Sequence, residues 1–425
     1  MACRGSGVQI PSAPLKEMNI SFIREIINQT KELIFSQFFI ALISLLQVSM
    51  VVKILGAEKY GIVTLIVTLP SLVFRALHSK NSDVTLLSFK KKSSLIHSYF
   101  FDLLVGVVAF SVCIIALNSP IKNYFAIPEI EKYVLIFIAS KILQTFSESS
   151  KAWLINNNNF ARFSLLESTA ISVRFLAIII MISRTPTVEN YIIGQTIYSM
   201  YYGIASLFIV RKSFNLREFN IKDFKDYITI VLPHYKSIRL NQIIGLIPQH
   251  FDVIIISIVT DYSSVGIYRF AKRLIEPVNY VIAVFNPWLQ GKLSQNLRSF
   301  DVKTFFVKFL LPLSSAIILF YFLMGKMMIQ LIGSEEFLES YEPLLILLAG
   351  YSIYLLTFWI RQYLLFNNLL LFHTYGRIIY TVSFVLLSTI ASPIYGYNGI
   401  AMSLSLAMLF QKTFEYVIYK KNVVQ

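Results

Sequence analysis

Apolar segments of about twenty residues recur along the chain and are separated by short polar connections. A helix needs roughly 20 apolar residues to cross the hydrocarbon core of a bilayer. Strands of an outer-membrane barrel alternate polar and apolar residues, and these segments do not. The pattern therefore predicts about twelve membrane-spanning helices, near 33–54, 60–78, 97–118, 132–151, 162–183, 190–210, 228–258, 264–290, 305–332, 341–366, 370–392 and 397–418.

Composition supports a membrane protein and argues against several classes of function. The chain is 56% hydrophobic and 14% charged, with a mean hydropathy of +0.64, whereas soluble domains carry about 25% charged residues. The net charge of +15 does not indicate a nucleic-acid partner, because the basic residues lie in the connections between spans. We find no phosphate-binding glycine loop, nucleophile–base pair or metal-ligand spacing, so we predict no enzyme activity, cofactor or metal.

The basic residues also predict an orientation. Alternate connections carry most of the Lys and Arg, while the others hold only Lys59, Lys122, Lys132 and Arg184. Because basic connections stay in the cytoplasm, both termini are predicted to lie there, in a bacterial inner membrane. The predicted parts are a cytoplasmic segment 1–31, a six-helix lobe 32–210, a basic linker 211–227 and a second six-helix lobe 228–425. We expect translation to begin at Met18, since MACRGSGVQIPSAPLKE matches nothing downstream.

The two halves share a short pattern at their first outer turn. The first half reads ILGAEKYGIVTL (Ile54 to Leu65), and the second reads IVTDYSSVGIYRF (Ile258 to Phe270). Each contains an apolar helix end, a turn with an acid, and Gly-Ile at the start of the next helix. Six spans per half make any such repeat parallel, and transporters commonly bind their substrate between repeats.

A charged stripe on the eighth predicted span is the strongest functional signal. Arg269, Lys272, Arg273 and Glu276 fall at i, i+3, i+4 and i+7 and so share one helical face. At about 1.5 Å per residue, Arg273 lies ~14 Å below an outer end near Ser264. One interpretation is an internal salt-bridge network around Glu276. The surplus of cations favours a second interpretation, a wet cavity that binds an anion.

Other charged residues fall inside predicted spans. Lys141 and Arg174 lie near the middle of the fourth and fifth spans, and Arg239 and Asp252 lie on the seventh. Arg239 is either a substrate contact or the partner of Asp252, and packing between helices is the better explanation for Glu148 and Glu167. Arg75 and Asp102 lie near cytoplasmic ends and are read as interfacial. The predicted substrate-binding residues are Arg273, Arg269, Lys272, Arg239, Arg174 and Lys141.

Four segments resemble a known family. LGAEKYGIVTL, FDVIIISIVTDYSSVGIYRFAKRL, LIGSEEFLESYEPLLILLAGY and YGYNGIAMSLSLA are similar to bacterial polysaccharide exporters, more specifically the Wzx-type flippases of the multidrug/oligosaccharidyl-lipid/polysaccharide superfamily. The likeness runs from about Glu32 to Lys421. It implies an all-α polytopic membrane protein with about twelve transmembrane helices in two six-helix lobes around a central cavity. Related lipid II flippases carry cavity arginines on the first span, where this chain has no basic residue before Lys53.

The resemblance also implies a function. Such proteins move undecaprenyl-pyrophosphate-linked glycans across the membrane by alternating access, in O-antigen or capsule synthesis. Glycan polymerase and chain-length machinery are the protein partners that this role implies. Related drug exporters use a carboxylate for ion coupling, which makes Asp252 and Glu276 the candidates by position. A cation-coupled drug exporter remains an alternative that the basic stripe disfavours. A glycan polymerase or ligase is a weaker one, since no large outer loop is present.

Overall fold

The chain forms a bundle of long helices. A computed structural model describes residues 20–78, 95–117, 131–157, 159–213, 219–279, 282, 306–367 and 369–423. These residues form helices joined by short connections, with no strand among them. The helices are α1 (Ile20–His78), α2 (Leu95–Leu117), α3 (Glu131–Asn156), α4 (Phe160–Arg184), α5 (Val188–Ile209), α6 (Ile221–Val259), α7 (Tyr262–Ile275), α8 (Leu311–Ile332), α9 (Tyr341–Phe366) and α10 (Leu370–Val423).

Two of these helices each contain two of the predicted spans. Gly56 in α1 has φ 73° and Gly396 in α10 has φ 56°, a backbone region that glycine enters without steric cost. Each glycine interrupts the helical backbone, so that α1 and α10 each consist of two helical arms joined at a kink. With the arms counted separately, the described helices correspond to the twelve predicted spans, in two six-helix lobes. The predicted all-α polytopic fold class is confirmed.

Helices rich in charge differ from the others. Seven helices in the described part of the chain are long and apolar enough to cross a membrane, with α1 and α10 each counted once. Helices α3, α6 and α7 do not belong to that group. Because charged side chains are costly against lipid, these three are expected to turn their polar faces toward the interior of the protein. In the structure Asp252 of α6 and Lys272 of α7 are buried, whereas the charged residues at the start of α6 are exposed.

One predicted bound differs from the structure, and one predicted span is interrupted. Helix α6 begins at Ile221, inside the predicted linker, where the Asn220 side chain accepts a hydrogen bond from Lys222 N at 2.9 Å. This is a standard helix N-cap. The eighth span is predicted as one helix over 264–290; α7 ends at Ile275 with a turn at Glu276, residues 277–279 are helical again, and most of 280–290 lies outside the described residues. Pro277 follows directly and has no backbone N–H, so the helical hydrogen bond to Arg273 O is missing at this point.

The lobes meet closely at one end, which we call the outer end after the predicted orientation. A Cβ atom on Gly61 of α1 would lie 1.8 Å from Tyr262 O of α7, and one on Gly266 would lie 2.2 Å from Ala57 O. The contact is reciprocal, because each glycine faces the backbone carbonyl that lies one helical turn before the glycine of the other helix. Small residues at such crossings let two helix backbones approach in a membrane. The two Gly-Ile motifs noticed in the sequence therefore touch each other.

At the opposite end the lobes are joined along a different seam. The Tyr235 hydroxyl of α6 donates to Leu77 O of α1 at 2.5 Å. The rings of Tyr235 and Phe101 of α2 meet edge to face, with centroids 5.4 Å apart. Helix α6 thus packs against the first lobe on this side, and the space between the two contact regions contains the candidate site.

Candidate functional site

A cavity of about 330 Å³ lies among helices α1, α3, α4, α5, α6 and α7. Its lining is strongly basic, with six cationic side chains and one carboxylate, Glu148, among the described residues. The cations are Arg75, Lys141, Lys151, Arg174, Arg269 and Arg273. The cavity therefore combines the first lobe with the first two helices of the second.

Two of the six cations are neutralised by carboxylates. Lys151 Nζ lies 3.2 Å from both Glu148 Oε1 and Glu167 Oε1. Arg273 Nη1 donates to both Glu276 oxygens, at 2.9 and 2.8 Å. The first set joins α3 to α4, as the sequence interpretation of Glu148 and Glu167 proposed. The second holds Arg273 to the turn that ends α7.

The other four cations have no carboxylate within ion-pairing distance in the described part of the chain. Lys141 Nζ donates to Gln144 Oε1 at 3.0 Å, and the Arg174 guanidinium lies 5.7 Å from the ring centre of Tyr198. Arg174 Nε is buried without a hydrogen-bond partner there. Arg75 Nη1 lies 3.2 Å from His250 Nε2, a contact that supplies no negative charge. An anion in the cavity would compensate this local excess of positive charge.

The predicted stripe divides between two sides of α7. Arg269 and Arg273 line the cavity, whereas Lys272 turns to α6. There Lys272 Nζ bonds to the Asp252 carboxylate and donates to Gln249 O at 2.8 Å. Successive helix residues point about 100° apart, so Lys272 and Arg273 occupy opposite edges of the stripe. The structure does not bring Lys272 together with the other two cations.

Asp252 lies at the centre of this second contact. Its side chain is fully buried and also accepts from the Tyr268 hydroxyl at 2.9 Å. The partner of Asp252 is therefore Lys272, and not Arg239 as one sequence interpretation had it. Arg239 is buried farther from the outer end, with its guanidinium 4.7 Å from the Tyr235 ring centre and 3.5 Å from Ala76 O. It lies at the seam between α6 and α1, away from the cavity lining.

Several residues of the site were missed or misread in the sequence. Arg75 lines the cavity, although its position near a helix end was read as interfacial. His250 also lines it and leaves Nδ1 without a described partner. Asp102 is fully buried, not interfacial, and accepts from Ser149 Oγ at 2.5 Å while lying 3.0 Å from His78 Nε2. Finding these residues requires knowing which helices pack around them, and spacing along the sequence does not give that.

Neutral side chains complete the lining. Tyrosines and glutamines line the cavity together with the cations, namely Gln47, Tyr60, Gln144, Tyr191, Gln195, Tyr198 and Tyr202. Ligand sites typically combine such aromatic surface with a few polar groups that fix orientation. The lining thus suits a ligand that has an anionic group and a larger hydroxylated part.

Comparisons with known proteins agree with this architecture. Residues 28–290 match the family described as polysaccharide biosynthesis protein. The structure is similar to a lipid II flippase, MurJ, in an inward closed conformation, with a TM-score of 0.72, 18% identity, and coverage of 91% of this chain and 87% of that one. A comparison with curated protein sequences finds no significant match.

Multidrug transporters of the MATE family share the fold as well. An inward-facing member of the MOP superfamily aligns with a TM-score of 0.64 and 15% identity, covering 91% of this chain and 94% of that one. A Vibrio cholerae MATE transporter aligns with a TM-score of 0.59 and 13% identity, covering 95% and 97%. At these identities the similarity establishes the fold and leaves the substrate open.

Proposed function

We propose a transport function for this chain, which belongs to the polysaccharide biosynthesis protein family. It flips undecaprenyl-pyrophosphate-linked oligosaccharide repeat units from the cytoplasmic to the outer leaflet of the inner membrane by alternating access, for surface polysaccharide synthesis such as O-antigen or capsule. The observation that carries this proposal is the set of four cavity cations without a carboxylate partner in the described part of the chain.

A pyrophosphate is a dense anion, and arginine presents a planar fork of donors that matches phosphate oxygens. In this proposal Arg174 and Arg269 bind the pyrophosphate, with Lys141 and Arg75 adding charge from the facing wall. Arg273 contributes from the edge while paired with Glu276. The tyrosines and glutamines contact the sugars, and the polyprenyl tail stays in the bilayer.

Lys272 and Arg239 take a different part in this proposal. Both are buried in contacts between helices, so they support the site without touching the substrate. A cation-coupled drug exporter is the alternative on the same fold. Its ligands are often cationic and would be repelled by this cavity.

A flipping assay tests the proposal. Proteoliposomes would contain an undecaprenyl-pyrophosphate oligosaccharide with a fluorescent sugar, and an impermeant reducing agent would quench the outer-leaflet label. Label in the inner leaflet is protected from the reagent. We expect the protein to carry this protected fraction to the outer leaflet, where it is quenched. Loading the same vesicles with a cationic dye provides the comparison. Dye transport without loss of the protected fraction would reject the flippase in favour of the drug exporter.

The orientation of the chain is a second prediction. The positive-inside rule places Ser213 in the cytoplasm and Ser334 outside. Single cysteines at these positions, in a chain with Cys3 and Cys113 replaced by alanine, would be exposed to an impermeant maleimide in intact cells. Labelling is expected at Ser334→Cys alone. Labelling at Ser213→Cys alone would reverse the orientation.

A third prediction concerns ion coupling through Asp252 or Glu276. Because Asp252 is buried against Lys272, Asp252→Asn alone leaves an unpaired buried cation, which costs about 3–5 kcal/mol. We expect low amounts of that protein and recovery in Asp252→Asn with Lys272→Met. If Asp252 carries the coupling ion, the double variant is folded but does not transport. Transport by the double variant, and by Glu276→Gln, would remove both carboxylates from the coupling step.

A further inference from the structure

His250 of α6 is a buried histidine in the wall of the cavity, and the proposed substrate contacts do not include it. It is 7% exposed and lines the same space as Arg75, Arg269 and Arg273. It lies about 14 Å before the end of α6 at Val259, well inside the membrane-spanning part of the helix. A titratable side chain at such a depth is a candidate for function.

The contact with Arg75 defines the protonation state of His250. Arg75 Nη1 lies 3.2 Å from His250 Nε2. A guanidinium group has N–H donors and no acceptor, so Nε2 must accept the hydrogen bond and carries no proton. The ring is therefore neutral, with its one proton on Nδ1. Nδ1 is buried and has no hydrogen-bond partner among the described residues.

The cations around His250 explain why its ring is neutral. Four positive side chains act on the ring, namely Arg75 from α1 and Arg269, Lys272 and Arg273 from α7. A like charge nearby disfavours the charged form of a titratable group. A protonated imidazole at this place would therefore be repelled from two neighbouring helices.

The acids near the ring do not offset these cations. Asp252, on the same helix, is paired with Lys272. Glu276, at the end of α7, is paired with Arg273. The other helices that pack against α6 add Arg377 of α10, beside Gly245, and Asp102 of α2, beside His78. The ring therefore stays neutral unless another negative charge enters the cavity.

An oxyanion in the cavity would change both conditions. Arg75 is exposed along the cavity wall, so its guanidinium can leave His250 and turn to the anion. A hydrogen bond between two charged groups is roughly twice as strong as one between neutral groups, which favours that exchange. Nε2 is then free to take a proton, and the anion supplies the negative charge that stabilises an imidazolium ion.

We propose that His250 takes up one proton from the medium when a phosphate-bearing anion binds in the cavity, and that its Nε2–H then donates to the anion. The proposed function enters only in the identity of that anion, which during transport is the pyrophosphate of the lipid-linked substrate. A histidine at this position adds a cation only while an anion is present, whereas another arginine would carry its charge throughout the cycle. Because linkage is reciprocal, protonation of His250 also strengthens anion binding, so the affinity rises as the pH falls.

Calorimetry measures this linkage directly. Inorganic pyrophosphate would be titrated into the protein in phosphatidylcholine nanodiscs, in two buffers that differ in ionisation enthalpy, which gives the number of protons taken up. The variant His250→Gln keeps an acceptor for Arg75 but cannot be protonated. We expect the unchanged protein to take up about one proton more than this variant. Comparing the two proteins removes the protons that pyrophosphate itself takes up.

The pH dependence gives the same quantity as a fold-change. The affinity of the unchanged protein relative to His250→Gln should rise by up to about tenfold for each unit by which the pH is lowered through the neutral range. The matched control is His373→Gln. His373 is buried against Glu415 in the second lobe and does not line the cavity, so this variant should take up as many protons as the unchanged protein.

Nitrogen NMR of the unchanged protein with labelled histidine is a second measurement, and it decides the question if His250→Gln fails to fold. Adding pyrophosphate at neutral pH should convert one imidazole from the neutral form with a proton on Nδ1 to the doubly protonated form. Equal proton uptake by the unchanged protein and His250→Gln would overturn the inference, as would unchanged imidazole signals or the absence of pyrophosphate binding. Failure of flipping with the linked proton intact would contradict the flippase proposal alone. Normal flipping with equal proton uptake would contradict this inference alone.

Discussion

Arg174→Ala is expected to lower the flipping rate ten- to a hundredfold while the amount of folded protein stays unchanged. Arg174 lines the cavity, and its Nε is buried without a partner in the described part of the chain. A hydrogen bond to a charged group contributes roughly 1.5–3 kcal/mol, which corresponds to that range of rates. Because no carboxylate depends on Arg174 there, its removal leaves no buried acid uncompensated. The measurement is the fluorescence quench in proteoliposomes at equal protein density.

Arg162→Ala is the matched control on the same helix, since Arg162 is exposed near the other end of α4 and should flip at the normal rate. Arg273→Ala provides a second comparison. It leaves Glu276 without its partner, so low protein levels are expected, and adding Glu276→Gln should restore them. If the double variant regains full transport, Arg273 serves only as an ion-pair partner. Normal flipping by Arg174→Ala would remove Arg174 from substrate binding.

The fold was largely accessible from the sequence because the bilayer imposes a simple rule. Apolar stretches of sufficient length must become helices, and the spans so predicted match the arms of α1 and α10 as well as the single helices. The exceptions are local. The interruption at Glu276 is explained by the missing backbone N–H of Pro277, and the early start of α6 follows from the Asn220 cap.

The site was harder to predict, because periodicity shows which residues share a face and not what that face touches. Arg269, Lys272 and Arg273 form one stripe by spacing, yet Lys272 pairs with Asp252 on α6 and the two arginines line the cavity. Arg75 shows a second kind of error, in which a residue that lines the cavity is assigned to the membrane surface. Near a helix end, snorkelling to water and facing an internal cavity give the same sequence pattern. Only the packing of α6 and α7 against α1 distinguishes them.

Gly61→Leu is expected to hold the outer ends of the lobes apart and to abolish flipping. A Cβ at Gly61 would lie 1.8 Å from Tyr262 O, and contacts below 3.0 Å are not tolerated, so α1 and α7 would have to separate by more than an ångström. Alternating access requires this end to close in one half of the cycle. A cysteine at Thr64, one turn further along the cavity wall, should then be labelled from outside. Impermeant maleimide in intact cells, with Cys3 and Cys113 replaced by alanine, measures this access.

Gly203→Leu separates a specific effect at the outer end from a general loss of packing. A Cβ at Gly203 would lie 2.3 Å from Leu143 O, close to the 2.2 Å found for Gly266, but between two helices within one lobe. This variant should lose stability without exposing the Thr64→Cys site to the outside. Gly266→Leu, which acts on the same crossing from the other lobe, should reproduce the labelling of Gly61→Leu. Equal labelling in the Gly203 and Gly61 variants would show that the crossing has no special part in closing the cavity.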